Sequence, residues 1–155
     1  MKNTAIYIDM DGVINDFESD KNARKNMWEK GYFENIPPIE ETCKTMKILN
    51  KYFDVIILSK IIERSGVIEE KQNWLSKNLC EKSFSEVIYV PYADSKVHYI
   101  NFNKYKNIIL IDDNERNLDE CSGFGVHCIK FRGGKSNYKV LNNLSDFDKE
   151  WFCVH

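Results

Sequence analysis

The 155-residue chain is predicted to fold as one α/β domain, a three-layer sandwich on a mainly parallel five-stranded sheet. Two observations predict this fold: short apolar runs alternate with segments of helical periodicity, and three of the runs end abruptly in polar residues. The predicted strands are Thr4–Ile8, Asp54–Leu58, Glu86–Val90, Asn107–Ile111 and Val126–Lys130. Because crossovers between parallel strands are right-handed, the alternation restricts the topology to a few arrangements.

Three of the segments between strands are predicted helices. They are Ile39–Tyr52 with Thr42, Met46 and Leu49 on one face, Ser65–Leu79 with Val67, Lys71, Trp74 and Leu75 on one face, and the short Glu115–Ser122. Such helices cover both faces of a parallel sheet. A closing helix is predicted for Leu144–His155, where Phe147 and Trp151 are the large apolar residues.

The segment at about 16–35 is predicted to be a small helical insert above the carboxyl edge of the sheet, within a single domain over 1–155. Its apolar residues are Phe17, Met27, Trp28, Tyr32 and Phe33. They either pack the insert onto the body or place a ring against a ligand, since aromatic rings stack well on flat groups. The candidate substrate contacts are Phe17, Trp28 and Tyr32.

The composition excludes several classes of protein. With 43% hydrophobic residues the chain can bury a core, and a net charge of −2 gives no broad attraction to nucleic acid. The five cysteines form no Cys-x-x-Cys pair, so neither a disulfide framework nor a zinc site is indicated. The chain shows no signal-peptide pattern and no apolar run of membrane-spanning length, so a cytoplasmic protein without a membrane partner is predicted.

Two carboxylates follow the first predicted strand. Asp9 and Asp11 precede Gly12, which lets the chain turn away. A carboxylate is costly in a core, and active groups of parallel sheets lie at the carboxyl ends of the strands, so Asp9 is expected at the mouth of the sheet. Two acids at this position suit a divalent cation with a nucleophile or a proton donor. The alternative is a surface turn, because Asp-Gly is a common turn dipeptide.

Two further strands also end in polar groups. Ser59 and Lys60 follow the second strand, Asp112 and Asp113 follow the fourth, and Lys96 lies between them in the chain. Phosphoryl transfer uses such a set: cations for the phosphoryl charge, a carboxylate that attacks phosphorus, and an acid for the leaving oxygen. Each residue alone also fits an ordinary role, as a helix cap or a solvated surface lysine.

These residues resemble a known family. In chain order, Asp9-Met10-Asp11-Gly12-Val13, Ser59, Lys96 and Ile111-Asp112-Asp113 resemble the four motifs of the haloacid-dehalogenase-like phosphohydrolases. Four segments are similar to the cytosolic-type 5'(3')-deoxyribonucleotidases: the opening Asp9–Phe17, Gly31-Tyr32-Phe33 followed by Pro37-Pro38-Ile39, Glu70–Leu75, and Ile111-Asp112-Asp113. The resemblance spans residues 4 to about 130.

The resemblance implies a catalytic and metal-binding role for five residues. Asp9 is then the nucleophile and a metal ligand, and Asp11 is the general acid and base with its backbone carbonyl on the metal. Asp113 is the further metal ligand, supported by Asp112, and Asn117 holds a metal-bound water through its amide. The implied metal is magnesium, which prefers hard oxygen ligands and retains waters.

The resemblance also implies how phosphate is held. Ser59 is expected to bind phosphate and Lys96 to neutralise both the incoming phosphate and the phosphoenzyme. Lys60 stands where the family usually has a small residue followed by proline, and it either adds a phosphate contact or points to solvent. The insert is much shorter than the cap of the nucleotidases, which weakens the inference of base and sugar specificity.

The predicted function is a magnesium-dependent phosphomonoesterase that forms an aspartyl-phosphate and acts on a small phosphorylated substrate, a nucleotide and in particular a deoxyribonucleoside monophosphate. The first alternative is a phosphatase for nucleic-acid ends or another bulky phosphorylated substrate, because a short insert leaves the site open. The basic, glycine-containing segment with Lys130, Arg132 and Lys135 is either a solvated loop or a contact for phosphate or nucleic acid. Nucleic acid is thus predicted as a possible substrate only, and not as a binding partner. A receiver-type signalling domain and an idle binding module are the remaining alternatives.

Overall fold

The computed structural model describes residues 2–131 and 139–141. Its sheet has six strands in the order β3-β2-β1-β4-β5-β6, and all neighbouring strands are parallel. The strands are β1 Thr4–Ile8, β2 Asp54–Ile61, β3 Glu86–Pro91, β4 Asn107–Asp112, β5 His127–Phe131 and β6 Lys139–Leu141. The five predicted strands are therefore confirmed, and β6 is an additional short edge strand. The predicted closing helix, together with Arg132 and Lys135, lies outside the described residues.

The helices lie close to their predicted positions. They are α1 Ala23–Asn26, α2 Glu40–Tyr52, α3 Val67–Asn78 and α4 Glu115–Ser122, with 3-10 turns at Phe17–Ser19, Glu81–Ser83 and Lys96–Tyr99. Asn114 caps α4 with its side chain, which accepts hydrogen bonds from the backbone N–H groups of Arg116 and Asn117. The predicted inward faces of α2 and α3 are buried, so their periodicity was a reliable guide to the core.

Alternating residues of the central strand β1 separate the two halves of the core. Ile6 and Ile8 face one cluster, which includes Leu49 of α2 and Trp74 of α3. Tyr7 faces the other cluster, which includes α4. Successive side chains of a strand point to opposite faces, so both faces of the sheet are covered and the three-layer prediction is confirmed.

Four strands, β2 to β5, extend further than predicted at their carboxyl ends, and in β2 and β4 the extension includes candidate site residues. β2 continues to Ile61 because Ser59 and Lys60 pair with Tyr89 and Val90 of β3. β4 includes Asp112, which pairs with Lys130 of β5. These polar residues therefore lie within regular strands, whose pairing fixes their backbone positions.

The cap segment, residues 16–35, follows β1 and is less helical than predicted. It contains the 3-10 turn Phe17–Ser19 and the four-residue α1, and the rest is turns and bends. Its chain returns beside β1 because the Asp16 N–H donates to the Pro37 carbonyl at 2.8 Å. A hydrophobic cluster with Phe33 joins the segment to the body.

Within the part of the chain that the structure describes, none of the helices has the length and apolar character needed to cross a membrane. The four cysteines in this part are free thiols.

Candidate active site

Asp9 and Lys96 form the centre of the site at the carboxyl edge of the sheet. Asp9 directly follows β1, and its N–H donates to the Ile111 carbonyl at 2.9 Å, which continues the pairing with β4. Lys96 begins the 3-10 turn after β3, and its Nζ lies 2.7 Å from Asp9 Oδ1 and 2.7 Å from Asp112 Oδ2. The structure therefore brings the predicted nucleophile and the predicted phosphate-binding lysine into direct contact.

The charged groups at this centre shift one another's pKa values. Burial alone would lower the pKa of Lys96, but the Asp112 and Asp9 carboxylates outweigh it and raise that pKa well above its ordinary value. Burial, together with repulsion from Asp112, raises the pKa of Asp9 to about 6. Lys96 therefore stays positively charged. Its charge is compensated by the two carboxylates to which it donates hydrogen bonds, as a buried charge requires.

Three carboxylates at this edge lie close enough to share one cation. Ligand oxygens of Asp9, Asp112 and Asp113 all lie within 4.8 Å of one another. Burial and the nearby Asp9 carboxylate raise the pKa of Asp113 to about 9. The donor set consists of hard oxygens and carries more negative charge than Lys96 neutralises, so it fits a hard divalent cation. The Asp11 carboxylate is not part of this cluster, and only its backbone carbonyl is predicted to bind metal.

Asp112 and Asp113 differ sharply in their surroundings. Asp112 is fully buried and accepts hydrogen bonds from Lys96, from the Asn117 side-chain amide at 3.1 Å and from the Asn114 N–H at 2.9 Å. Asp113 is partly exposed and lines the cavity beside the site. The predicted metal ligand Asp113 therefore lies at the cavity, whereas Asp112, predicted to support it, is bonded to Lys96, Asn114 and Asn117.

Asp11 is held by different partners from those of Asp9. Its Oδ1 accepts a hydrogen bond from the Asn15 amide at 2.8 Å, and its Oδ2 lies 2.7 Å from Lys71 Nζ. The side-chain oxygen of Asn15 in turn accepts from the Gly12 N–H at 3.1 Å, so the turn after β1 is locked internally. The side chain of Asp11 is about 21% exposed and lines the cavity, so it can reach a substrate.

Lys71 is the residue that the sequence reasoning missed. It lies on α3, is fully buried, and also donates to Ser59 Oγ at 2.8 Å and to the Lys60 carbonyl at 2.9 Å. The sequence did contain a signal: a lysine shares the inward helical face with Val67 and Trp74, where its charge needs a buried partner.

The two strand-end residues of β2 have different positions. Ser59 is fully buried beneath Lys71 and is not among the described residues that line the cavity. Lys60 does line the cavity, with its ammonium 5.8 Å from the centre of the Tyr92 ring. Tyr92 itself is 60% exposed, so these two residues form part of the rim.

The cavity above the acids has a volume of about 220 Å³. Its described lining combines the catalytic edge with one side of the cap segment. The lining residues are Asp9, Asp11, Phe17, Glu18, Arg24, Met27, Phe33, Lys60, Ile62, Tyr92, Lys96, Asp113, Asn114 and Asn117. Arg24 and Lys60 bring positive charge to a cavity whose floor is mostly acidic.

The candidate substrate contacts are not all at the cavity. Phe17 lines it, whereas Trp28 and Tyr32 are absent from its described lining, and Trp28 is 52% exposed. The Tyr32 hydroxyl donates to Asp20 at 2.9 Å, and its ring packs edge-on against those of Phe17 and Phe33. Tyr32 therefore supports the rings that face the cavity from behind.

Lys130, the described member of the predicted basic loop, is also placed away from the cavity. Its Nζ lies 3.4 Å from a carboxylate oxygen of Glu115, and the Lys130 side chain is largely buried. This ion pair ties β5 to the first turn of α4.

Comparison with known proteins agrees with this geometry. No family model matches the chain. A curated protein of Vibrio phage KVP40, named "Putative 5'(3')-deoxyribonucleotidase", is 30% identical over 135 residues, which cover 79% of this chain and 74% of the relative. The chain belongs to the haloacid-dehalogenase-like hydrolases. The family membership argues against the alternative that the chain is a receiver-type signalling domain.

Solved structures show that the fold of this hydrolase is shared widely. D,D-heptose 1,7-bisphosphate phosphatase from Burkholderia thailandensis has a TM-score of 0.66 at 10% identity, covering 96% of this chain and 98% of that one. L-2-haloacid dehalogenase from Xanthobacter autotrophicus has a TM-score of 0.67 at 9% identity, with both chains covered fully. The Pnkp1/Rnl/Hen1 complex has a TM-score of 0.61 at 15% identity, with 89% of this chain and 47% of that chain covered. At these identities the likeness concerns the fold.

Proposed function

We propose that this hydrolase is a magnesium-dependent phosphomonoesterase that works through an aspartyl-phosphate on Asp9 and acts on deoxyribonucleoside monophosphates. The observation that carries the proposal is the position of Asp9. Its carboxylate lines the cavity, Lys96 holds one of its oxygens at 2.7 Å, and Asp11 lines the same cavity two residues further on. A carboxylate attacks phosphorus well when a cation offsets the repulsion between the two anions.

In the first step, an oxygen of the Asp9 carboxylate attacks phosphorus and the bond from phosphorus to the leaving oxygen breaks. Asp11 gives its proton to that oxygen, so the product leaves as a neutral alcohol. Lys96 stays protonated and offsets the charge that gathers near Asp9 and the phosphoryl group. Asp11 then takes a proton from water as the water oxygen attacks phosphorus, which breaks the bond to Asp9 and releases inorganic phosphate.

A magnesium ion would be held by Asp9 and Asp113 side chains with the Asp11 backbone carbonyl. When bound, magnesium supplies positive charge that offsets the charge of the phosphoryl oxygens. Asp112 stays with Lys96 and Asn117, so its contribution is to keep the lysine aimed at Asp9.

The nucleotide part of the proposal is supported by the similarity to the phage protein and by the cap segment. Phe17 offers a ring surface to a base or sugar, and Arg24 offers a cation at the same cavity. Aromatic surface next to a phosphate site is a common way to hold a nucleotide.

The test is phosphate release in the presence and absence of magnesium from a panel of deoxy- and ribonucleoside 5'- and 3'-monophosphates, sugar phosphates and phosphorylated oligonucleotides. Deoxyribonucleoside monophosphates should be the preferred substrates, and Asp9→Asn should release no phosphate from any of them. Asp119→Asn, an exposed aspartate of α4, is the matched control and should keep full activity. Activity that survives either Asp9→Asn or thorough metal removal would exclude the proposal. A wild-type protein that releases phosphate from no substrate of the panel would also exclude it.

A second candidate is a phosphatase for nucleic-acid ends. The observation that favours it is the rim pair of exposed Tyr92 and Lys60, since an aromatic ring beside a cation suits a base and its phosphate. Preference for phosphorylated oligonucleotides in the same panel, with activity that falls steeply with salt, would favour this candidate over a free nucleotide.

A further inference from the structure

Lys71 occupies a position that the four motifs do not explain. Its ammonium group is completely buried, although charged side chains are almost never fully buried without partners. An ammonium has three N–H donors, and here all three have acceptors: Asp11 Oδ2 at 2.7 Å, Ser59 Oγ at 2.8 Å and the Lys60 carbonyl at 2.9 Å. The group is therefore fixed in three directions.

The same contacts fix the carboxyl group of Asp11. Lys71 donates to one of its oxygens and the Asn15 amide donates to the other at 2.8 Å. Asn15 is itself fully buried and bonded to the Gly12 N–H. A carboxyl group with a buried donor on each oxygen cannot rotate about its Cβ–Cγ bond without breaking one of these hydrogen bonds.

Lys71 is well suited to hold Asp11 because its other partners are rigid. Ser59 and Lys60 belong to β2 and are paired with β3. The Phe33 ring of the cap segment lies 4.7 Å from the ammonium and covers it from the other side. Lys71 therefore fixes the Asp11 carboxyl group relative to the sheet, while Asn15 fixes it relative to the turn.

We propose that Lys71 is a positioning residue for proton transfer: it holds the Asp11 carboxyl group in the orientation that delivers a proton to the leaving oxygen. This inference rests on the proposed function. In the step concerned, the Asp9 oxygen forms a bond to phosphorus, the bond to the leaving oxygen breaks, and the proton moves from Asp11 to that oxygen. Lys71 keeps its own proton throughout. Each buried lysine then serves one aspartate: Lys96 contacts the nucleophile Asp9, and Lys71 orients the general acid Asp11.

Misorientation of a general acid slows a reaction more when the leaving group is more basic, because such a group needs a proton to depart. The leaving group of an alkyl phosphate is a strongly basic alkoxide unless its oxygen is protonated, whereas the leaving group of 4-nitrophenyl phosphate is a weakly basic nitrophenolate that departs readily as an anion. Loss of positioning should therefore slow the alkyl ester selectively. A general distortion of the phosphate site would slow both esters equally.

The experiment measures release of the alcohol in a single turnover with magnesium, from deoxythymidine 5'-monophosphate and from 4-nitrophenyl phosphate. Lys71→Met should slow release from the nucleotide by about 10²-fold or more, near the usual contribution of general acid catalysis, and release of nitrophenol far less. Lys77→Met removes an exposed lysine from the same helix and should change neither rate. Equal slowing of both esters by Lys71→Met would overturn the inference.

A double-mutant cycle with Asp11→Asn gives the second readout. If Lys71 acts through Asp11, adding Lys71→Met to Asp11→Asn should slow release from the nucleotide no further. A further slowing of about tenfold or more would overturn the inference. Lys71→Gln keeps an N–H donor and should retain more nucleotide activity than Lys71→Met, and it replaces Lys71→Met in both readouts if that variant does not fold. A wild-type protein that releases neither alcohol would overturn the proposed function itself, and the inference with it.

Discussion

Gly12 lies directly against the carboxylate of Asp113: a Cβ atom placed on Gly12 would lie 2.1 Å from Asp113 Oδ2 and 2.8 Å from Asp113 Cγ. Gly12 also has a φ of +86°, a conformation that L side chains rarely adopt. Two independent constraints therefore favour glycine at position 12: its positive φ, and the Asp113 carboxylate, which leaves no room for a Cβ atom.

The first prediction follows from this contact. Gly12→Ala should displace the Asp113 carboxylate, weaken magnesium binding and lower phosphatase activity. The matched control is Gly125→Ala, because Gly125 has a similar φ of +79° but a Cβ atom placed on it would meet no other atom within 4 Å. Both variants should lose about 1–2 kcal/mol of stability to backbone strain. Equal magnesium affinity in the two variants, measured by calorimetric titration, would show that the contact with Asp113 is unimportant.

A second prediction concerns pH and magnesium. Burial, with repulsion between the carboxylates, raises the pKa of Asp9 to about 6 and that of Asp113 to about 9. A carboxyl group whose pKa is raised by folding contributes stability that is complete at low pH and is lost as pH rises through the folded-state pKa. Metal-free protein should therefore lose stability between about pH 4 and about pH 9.

Magnesium should offset that loss, because it binds the ionised carboxylates. The increase in Tm on adding magnesium to chelator-treated protein should thus grow as pH rises from about 6 to about 9. Asp113→Asn should remove most of this growth. An increase in Tm that is the same at both pH values in the wild-type protein would contradict the assignment of these acids to a cation site.

The third prediction concerns the attachment of the cap segment. Glu70 of α3 accepts both Arg64 guanidinium hydrogen bonds at 2.8 Å and the N–H groups of Gly31 at 2.7 Å and Phe33 at 3.2 Å. Glu70→Gln should cost about 2–4 kcal/mol, because it leaves a largely buried guanidinium without its charge partner. The adjacent, exposed Glu69→Gln should cost almost nothing in the same urea titration.

The stability difference between Glu70→Gln and wild type should also depend on pH. The Arg64 guanidinium, with the Gly31 and Phe33 N–H groups, holds the pKa of Glu70 below its usual range. The stabilisation is therefore present at neutral pH and is lost as pH falls through the folded-state pKa. A difference that grows on acidification would contradict this account of the cap attachment.

The fourth prediction separates two aromatic residues of the cap segment. Phe17 lines the cavity and Trp28 does not, so Phe17→Ala should raise KM for a deoxyribonucleoside monophosphate by about tenfold, in line with the usual energy of an aromatic contact. Trp28→Ala should leave KM unchanged. Because neither ring takes part in the proposed attack or proton transfer, kcat should change little in steady-state assays of either variant. A larger rise in KM for Trp28→Ala than for Phe17→Ala would show that Phe17 is not the ring that contacts the base.

The sequence was informative wherever a pattern is local. Apolar runs that end in acids located β1 and β4 together with Asp9 and Asp112, and helical spacing located α2 and α3. The carboxyl ends of parallel strands meet by geometry, which is why residues far apart in the chain could be expected at one edge.

The parts that could not be predicted depend on distant partners. Helical spacing places Lys71 on the buried face of α3, but its partner Asp11 lies sixty positions earlier in the chain, so no local pattern predicts this ion pair. The cap segment has few helical hydrogen bonds of its own, and its path depends on Glu70 and Arg64. Trp28 and Phe17 have the same aromatic character, so only the path of that segment decides which one reaches the cavity.

The most direct test of the central claim is chemical trapping of the phosphoenzyme. Protein mixed with magnesium and a preferred phosphomonoester is quenched during turnover and reduced with borohydride, which converts an aspartyl-phosphate to homoserine, and its peptides are mapped by mass spectrometry. We predict homoserine at position 9 in wild-type protein, more of it in Asp11→Asn, and none in Asp9→Asn. Active wild-type protein with homoserine at another aspartate, or with no trapped intermediate while Asp9→Asn still turns over, would contradict the assignment of Asp9 as the nucleophile.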